Sequence, residues 1–277
     1  MAQGLSVHIG LNEVDKTKYI GKYKTLRNAE NDCEYYYQLA ISNGFTAVKL
    51  AGKEATSENL LEHLEEMATK LNADDLLFIS YSGHGTRVKD LNNDEEDGYD
   101  EALVLYDRLF IDDEFQLCWG KFKKGVRIFM ITDSCFNGSV SRLIEDQGDV
   151  SDAIWPDILL RGVDTSITNI DFYNNLSMYK EIKSESDKKS VIAFCSIIHI
   201  GACQDNQLAE DGAVTDKNGR FTSAVREIYN DGNFNGSYKR LFELVKQEMP
   251  PWQTPSWDTE AGLKDEEFEK SAFLQFR

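Results

Sequence analysis

The chain has 277 residues, 41% of them hydrophobic, and carries a formal net charge of -18. That length supports one large domain with a substantial core. The charge argues against nucleic acid and anionic membranes as partners, since both require a basic surface, and favours cations and basic peptides. No apolar run approaches the roughly 18 to 20 residues that span a bilayer. The opening MAQGLSVHIG lacks a basic region followed by a long apolar segment, so a cytoplasmic protein without a signal peptide is expected. The five cysteines, Cys33, Cys118, Cys135, Cys195 and Cys203, are scattered without C-x-x-C spacing. That fits a reducing compartment and argues against a disulfide framework or a structural zinc.

In chain order, LSVHIGL (5–11) reads as a strand, and NAENDCEYYYQLAISNG (28–44) as a helix stopped by Asn43 and Gly44. FTAVKLAG follows as a second strand. Thr56 or Ser57 then caps a helix whose apolar positions Leu60, Leu64, Met67, Ala68 and Leu71 recur at helical spacing. LLFISYS (76–82), RIFMITDS (127–134) and SVIAFCSI (190–197) are three further strands. Continuous apolar strands separated by helices imply an α/β fold with a mainly parallel central sheet covered on both faces.

In such sheets functional groups gather beyond the carboxyl ends of the strands. His84 follows the third strand in YSGHG, and Cys135 follows the fourth in ITDSCFNGS; they stand 135 − 84 = 51 residues apart. His8, His63 and His199 sit in apolar or helical patterns that suit structural roles. A thiolate is a strong nucleophile and a nearby imidazole can move its proton, so the pair could form and hydrolyse an acyl-enzyme. The amides of Gly85 and Cys135 are candidate donors to the oxyanion. A lone strand-end cysteine is ordinarily a small buried apolar residue; a Gly-His-Gly at the end of the adjacent strand changes that reading. The spacing matches the arrangement in which a catalytic histidine lies about 50 residues upstream of its cysteine.

YSGHG together with DSCFNGS resembles the caspase-like cysteine peptidases, and among them the metacaspases and their bacterial relatives (orthocaspases). LRNAENDCEYY resembles the first-helix pattern of that family, DEEDGYDEAL and IDDEF its acidic stretches, and GACQDNQLAED, GRFTSA and QTP its small-subunit half. The resemblance implies a caspase-like fold over residues 1–277, with a large-subunit-like half to about residue 140, a linker over about 141–190 and a small-subunit-like half from about 191. It implies cleavage after Arg or Lys in protein or peptide substrates, with Cys135 as nucleophile and His84 and Gly85 in the catalytic machinery. Asp32, Asp133 and Ser82 would line the acidic pocket. Partly buried carboxylates suit that task, because they form strong charge-assisted hydrogen bonds with guanidinium or ammonium groups.

The same resemblance implies a calcium site at Asp100, Asp112 and Asp113, oxygen ligands of the kind this hard cation takes. Two departures weigh against it: the segment joining Asp100 to Asp112 is about four residues short of the family pattern, and Arg142 stands where a fourth acid belongs. No organic cofactor is implied, since phosphate loop, dinucleotide fingerprint and zinc cluster are all missing from the sequence. The polar run SESDKKS suggests an exposed stretch of linker, with Lys183, Lys188 and Lys189 as candidate self-cleavage sites. An activating small ligand or partner protein, and a role in stress, defence or programmed cell death, are expected by analogy. Two other readings are a catalytically silent caspase-like scaffold or ligand-binding regulator, and a cysteine hydrolase or acyltransferase acting on small amides.

Overall fold

The computed structural model describes residues 2–91, 98–136, 159–189, 193–204 and 207–276. Its centre is a six-stranded sheet in the order β2-β1-β3-β7-β8-β9. The strands are β1 (Gly4–Gly10), β2 (Thr46–Ala51), β3 (Leu76–Ser82), β7 (Arg127–Asp133), β8 (Ser196–Gly201) and β9 (Ser256–Asp258). Every pairing is parallel except β8 with β9. All seven residues of β1 and of β3 are buried, as expected for a sheet covered on both faces.

Side chains alternate between the two faces of a strand, and here each face has its own core. Leu77, Ile79 and Tyr81 of β3 and Ile128 and Met130 of β7 face α2 (Ser57–Lys70) and α3 (Asp112–Trp119), meeting Leu60, Leu64, Met67 and Trp119. Phe78, Phe129 and Ile131 point the other way. They pack with Tyr36 and Leu39 of α1 (Ala29–Ser42), Phe221 of α6 (Arg220–Tyr229), and Leu241 and Val245 of α7 (Tyr238–Glu248). Each fully buried leucine contributes roughly 1.5–3 kcal/mol. The Thr56 hydroxyl accepts from the Asn59 amide at 3.2 Å and caps α2 as its sequence suggested.

Three features depart from the sequence reading. The fifth parallel strand is Ser196–Gly201 rather than 190–197, because SIIHIG supplies the register from Arg127↔Ser196 to Thr132↔Gly201 that matches β7. A separate antiparallel sheet, β4 (Gly85–Lys89), β5 (Tyr99–Val104) and β6 (Leu109–Ile111), occupies the acidic region. Finally, residues expected to form an exposed charged stretch belong to a helix. Helices α4 (Thr165–Asn174) and α5 (Leu176–Lys189) follow the small sheet in sequence, and Phe172 and Tyr179 pack on its Val88, Val104 and Ile111. Residues 262–274, with the short α8 (Glu266–Lys270), close the second core through Phe268 and Phe273.

Candidate active site

Strands β3 and β7 pair in register from Leu76↔Arg127 to Ser82↔Asp133, so both chains leave the sheet at the same level. Beyond them stand Gly83-His84-Gly85 on one side and Ser134-Cys135 on the other. A Cβ built on Gly85 would lie 2.6 Å from the Cys135 carbonyl oxygen, an approach that only glycine allows. Register and close approach together bring the histidine and cysteine loops side by side, as their positions in the sequence suggested.

The His84 ring is fixed by a backbone carbonyl. Its Nε2 lies 2.7 Å from the Lys24 carbonyl oxygen, and since a carbonyl can only accept, Nε2 carries the hydrogen and Nδ1 the lone pair. Among the described residues Nδ1 has no hydrogen-bond partner. Burial lowers the pKa of His84, against the opposing pull of the Lys24 and Arg161 carbonyls, and keeps the ring neutral at neutral pH. It borders a cavity of about 280 Å³ that Lys24, Thr25 and Val104 also line. The Cys135 thiol donates to the Gln207 carbonyl at 2.9 Å and also meets the Cys203 thiol.

The acidic pocket lies under the same strand ends, and it contains an arginine of this chain. Arg161 is fully buried among three carboxylates. Its Nη2 is 2.6 Å from Asp32 Oδ2, its Nη1 is 3.0 Å from Asp133 Oδ1, and its Nε donates to Asp211 Oδ1 at 3.1 Å. Nη1 also donates to the Asp133 carbonyl at 2.9 Å. Each acid is anchored from behind: Asp32 accepts from Asn218 and the Gly219 amide, Asp133 from Thr222, and Asp211 from the Arg27 amide at 2.7 Å. Ser82, in register with Asp133, is buried with a hydroxyl that finds no partner among the described residues. Burial raises the pKa of Asp32 to about 7 despite the neighbouring guanidinium, and raises that of Asp133 as well.

Asp100, Asp112 and Asp113 converge too, with one oxygen of each within 4.8 Å of the others. Oxygen donors of this type suit calcium, yet a cation of the chain already stands among them. The Lys183 ammonium of α5 pairs with Asp100, with Asp113 at 2.9 Å and with Asp90 at 3.7 Å. These partners raise its pKa to about 12 although burial opposes them. The residues present therefore do not fit a bound calcium while Lys183 holds this place, and no step of the chemistry is routed through that ion. The same contacts correct the expectation that Lys183 is an exposed cleavage site: it is 2% exposed and lies on a packed helix. Arg142 and the side chains of Lys188 and Lys189 lie outside the described residues.

Sequence reasoning brought His84, Cys135, Gly85, Asp32, Ser82 and Asp133 to this place and missed three partners. Asp211 is the last acid of LAED, read only as part of the small-subunit half. The Lys24 group is a backbone carbonyl, which no side-chain pattern announces. Arg161 had a signal, a basic residue after two leucines and before glycine in the expected linker, but the Lys-rich run downstream drew the reading instead.

The model of the caspase domain matches residues 10–265 of the chain. Metacaspase-1 of Schizosaccharomyces pombe is 29% identical over 230 residues, covering 70% of this chain and 51% of that protein. Metacaspase-4 of Arabidopsis thaliana is 30% identical over 146 residues, 49% of this chain and 34% of that protein. The chain thus spans about half the length, or less, of these curated relatives. Among solved structures, a protein from Geobacter sulfurreducens superimposes with a TM-score of 0.85 at 33% identity, with 99% of each chain covered. Caspase-1 from Spodoptera frugiperda, at 11% identity, a TM-score of 0.55 and coverage of 96% and 92%, shares the fold. Among the described residues no helix is long and apolar enough to cross a membrane.

Proposed function

Because the chain belongs to the caspase family, we propose that it is a cysteine endopeptidase that cleaves after Arg or, less readily, Lys. The observation that carries the specificity is the buried trio Asp32, Asp133 and Asp211 closed around one guanidinium. A basic side chain enters that pocket and places its carbonyl beside Cys135. The Cys135 thiol gives up its proton to His84 Nδ1, whose free lone pair follows from the Lys24 bond, and sulfur attacks the carbonyl carbon. The Gly85 and Cys135 amides hold the oxyanion, where a single such donor is worth roughly 3 to 4 kcal/mol. His84 then protonates the departing amine, and water deprotonated by His84 hydrolyses the thioester. No organic cofactor takes part. The presence of both His84 and Cys135 on neighbouring loops at the ends of β3 and β7 supports the peptidase over a scaffold role.

Hydrolysis of fluorogenic peptides ending in Arg, Lys or Asp tests this reading. Arg and Lys peptides should be cut, Asp peptides spared, and rates should be the same with calcium and with chelator, since Lys183 already neutralises the acid cluster. Preference for Asp would overturn the pocket assignment, and a requirement for calcium would mean that Lys183 yields its place. Any stress, defence or cell-death role is a separate question of which substrates meet this pocket.

The pocket also sets a pH dependence. The arginine lowers the pKa of Asp32 relative to the pocket without it, yet with arginine in place the value still stands at about 7. Binding therefore releases a proton at pH values between about 7 and the higher pKa of the open pocket, and affinity for Arg substrates rises with pH through that range. KM for Arg peptides should climb as pH falls from alkaline values towards about 7 and level off below it, with kcat less affected; a KM that does not change between about pH 7 and 9 would contradict a titrating Asp32.

A further inference from the structure

We propose that Asp171 is a positioning residue for the catalytic base, acting through the loop whose Lys24 carbonyl holds the His84 ring. This inference rests on the peptidase reading above and adds a residue on which the same site depends. The loop runs from Asn12 to Leu26, where the Leu26 amide donates to the Asn12 carbonyl at 2.9 Å, and it contains neither helix nor strand. Asp171 lies on α4 and is buried. Its Oδ1 accepts from the Ile20 amide at 2.6 Å, its two oxygens share the Gly21 amide at 3.3 and 3.2 Å, and its Oδ2 accepts from the Tyr23 hydroxyl at 2.8 Å.

Those bonds matter because apolar packing does little to fix Lys24. Ile20, Lys22, Lys24 and Thr25 are exposed. On its inner side the segment borders the cavity of about 280 Å³, which Ile20, Gly21, Tyr23 and Lys24 share with His84 and Val104. The place of the Lys24 carbonyl is therefore set by polar anchors on either side of it. Asp171 holds the stretch from Ile20 to Tyr23, and Asp211 holds the Arg27 and Asn28 amides, so the carbonyl stands between two buried carboxylates. Tyr23 also meets the Tyr19 ring edge-on at 4.8 Å, and the Tyr19 hydroxyl donates to the Leu105 carbonyl at 2.7 Å. Three donors converge on Asp171, and a charged acceptor makes such bonds roughly twice as strong as a neutral one. The segment it braces passes, one residue beyond Tyr23, directly into the His84 contact.

The consequence for catalysis is geometric. The Lys24 carbonyl keeps the hydrogen on His84 Nε2 and the lone pair on Nδ1. When that carbonyl drifts, the ring is free to turn or to carry its hydrogen on Nδ1, and the Cys135 proton loses its acceptor. Asp171 contacts none of the three acids that line the arginine pocket; they are anchored by Asn218, Gly219, Thr222 and the Arg27 amide. Loss of Asp171 should therefore fall on kcat and spare KM.

The test is Arg-peptide kinetics per folded enzyme for wild type, Asp171→Ala, Tyr23→Phe and Gly21→Ala, beside NMR of chains carrying ¹⁵N-histidine, with the His84 signals assigned by His84→Ala. Tyr23→Phe removes one bond to the carboxylate. Gly21→Ala keeps Asp171, but its Cβ would fall 2.7 Å from Asp171 Oδ2 and 2.8 Å from Ile167 Cγ2, which pushes the loop off its anchor; Gly21 lies outside the left-handed region, so crowding alone acts. Asp171→Ala should lower kcat by about 10- to 100-fold, the range for a small misplacement of a catalytic group, with KM within about twofold of wild type. The other two variants should shift kcat in the same direction by less. In wild type the His84 signals should report hydrogen on Nε2, and in the variants exchange between the two tautomers. Should Asp171→Ala fail to fold, Gly21→Ala and Tyr23→Phe decide. Unchanged kcat and unchanged His84 signals in the folded variants overturn this inference alone, as does a loss carried by KM. A wild type inert towards every peptide overturns the peptidase reading, and the NMR comparison then still decides whether Asp171 orients the ring.

Discussion

Replacing Cys135 with alanine should abolish hydrolysis of Arg and Lys peptides, a loss on the order of 10⁴-fold or more if nucleophile and base act as a unit. His84→Ala should cost nearly as much, and the double variant little more than either alone, since each change disables the same acyl transfer. The two substitutions differ in what they do to the fold. Cys135 is fully buried, but alanine there leaves the small-residue packing at the end of β7 almost intact. Removing His84 strips the Lys24 carbonyl of its donor, which costs about 1–3 kcal/mol when the acceptor stays buried. Thermal melts beside the peptide assay separate these effects: Cys135→Ala should lose activity with hardly any change in Tm. Retained hydrolysis in Cys135→Ala, with unchanged preference for Arg, would move the nucleophile elsewhere.

Much of this site could be read in the sequence because its parts obey local rules. The runs LLFISYS and RIFMITD are buried on both faces, so they read as central parallel strands, and whatever follows them lands at the functional edge of the sheet. His84 and Cys135 are legible for that reason. Asp32 and Asp133 are legible only through the family resemblance, since burial in a pocket leaves no periodic trace. The third acid, Asp211, meets Asp32 only on the shared Arg161 Nη2, 179 positions apart in sequence, 211 − 32, and no local pattern encodes such a meeting. Lys183 failed for a related reason. Composition marks SESDKKS, which begins directly after Lys183, as solvent-facing, but three carboxylates from β5, α3 and the end of β4 give the Lys183 ammonium a buried home. A charged run reads as surface only while its partners are unknown.

The acids of the pocket should matter almost as much as the nucleophile, and their loss should appear in a different constant. Asp211→Asn keeps the shape and removes one of three charges facing the guanidinium. Breaking one partner out of a buried ion cluster costs about 3–5 kcal/mol, so kcat/KM for Arg peptides should fall by on the order of 10² to 10³-fold, carried mainly by KM. Asp211 also accepts from the Arg27 and Asn28 amides at the start of α1, so part of any loss could be blamed on that helix end. Gly219→Ala removes this ambiguity. The residue has φ of −59°, which alanine adopts without strain, and all three carboxylates are retained. Its new methyl would fall 2.6 Å from Arg161 Nη2 and 2.8 Å from Asp133 Oδ2, inside the space the guanidinium needs. A planar five-donor head cannot give way as a compact ammonium can. Gly219→Ala should therefore raise KM for Arg peptides far more than for Lys peptides and narrow or invert the preference between them. Equal KM values for Arg peptides in wild type and Gly219→Ala would show that substrate arginine binds outside the pocket that Arg161 fills.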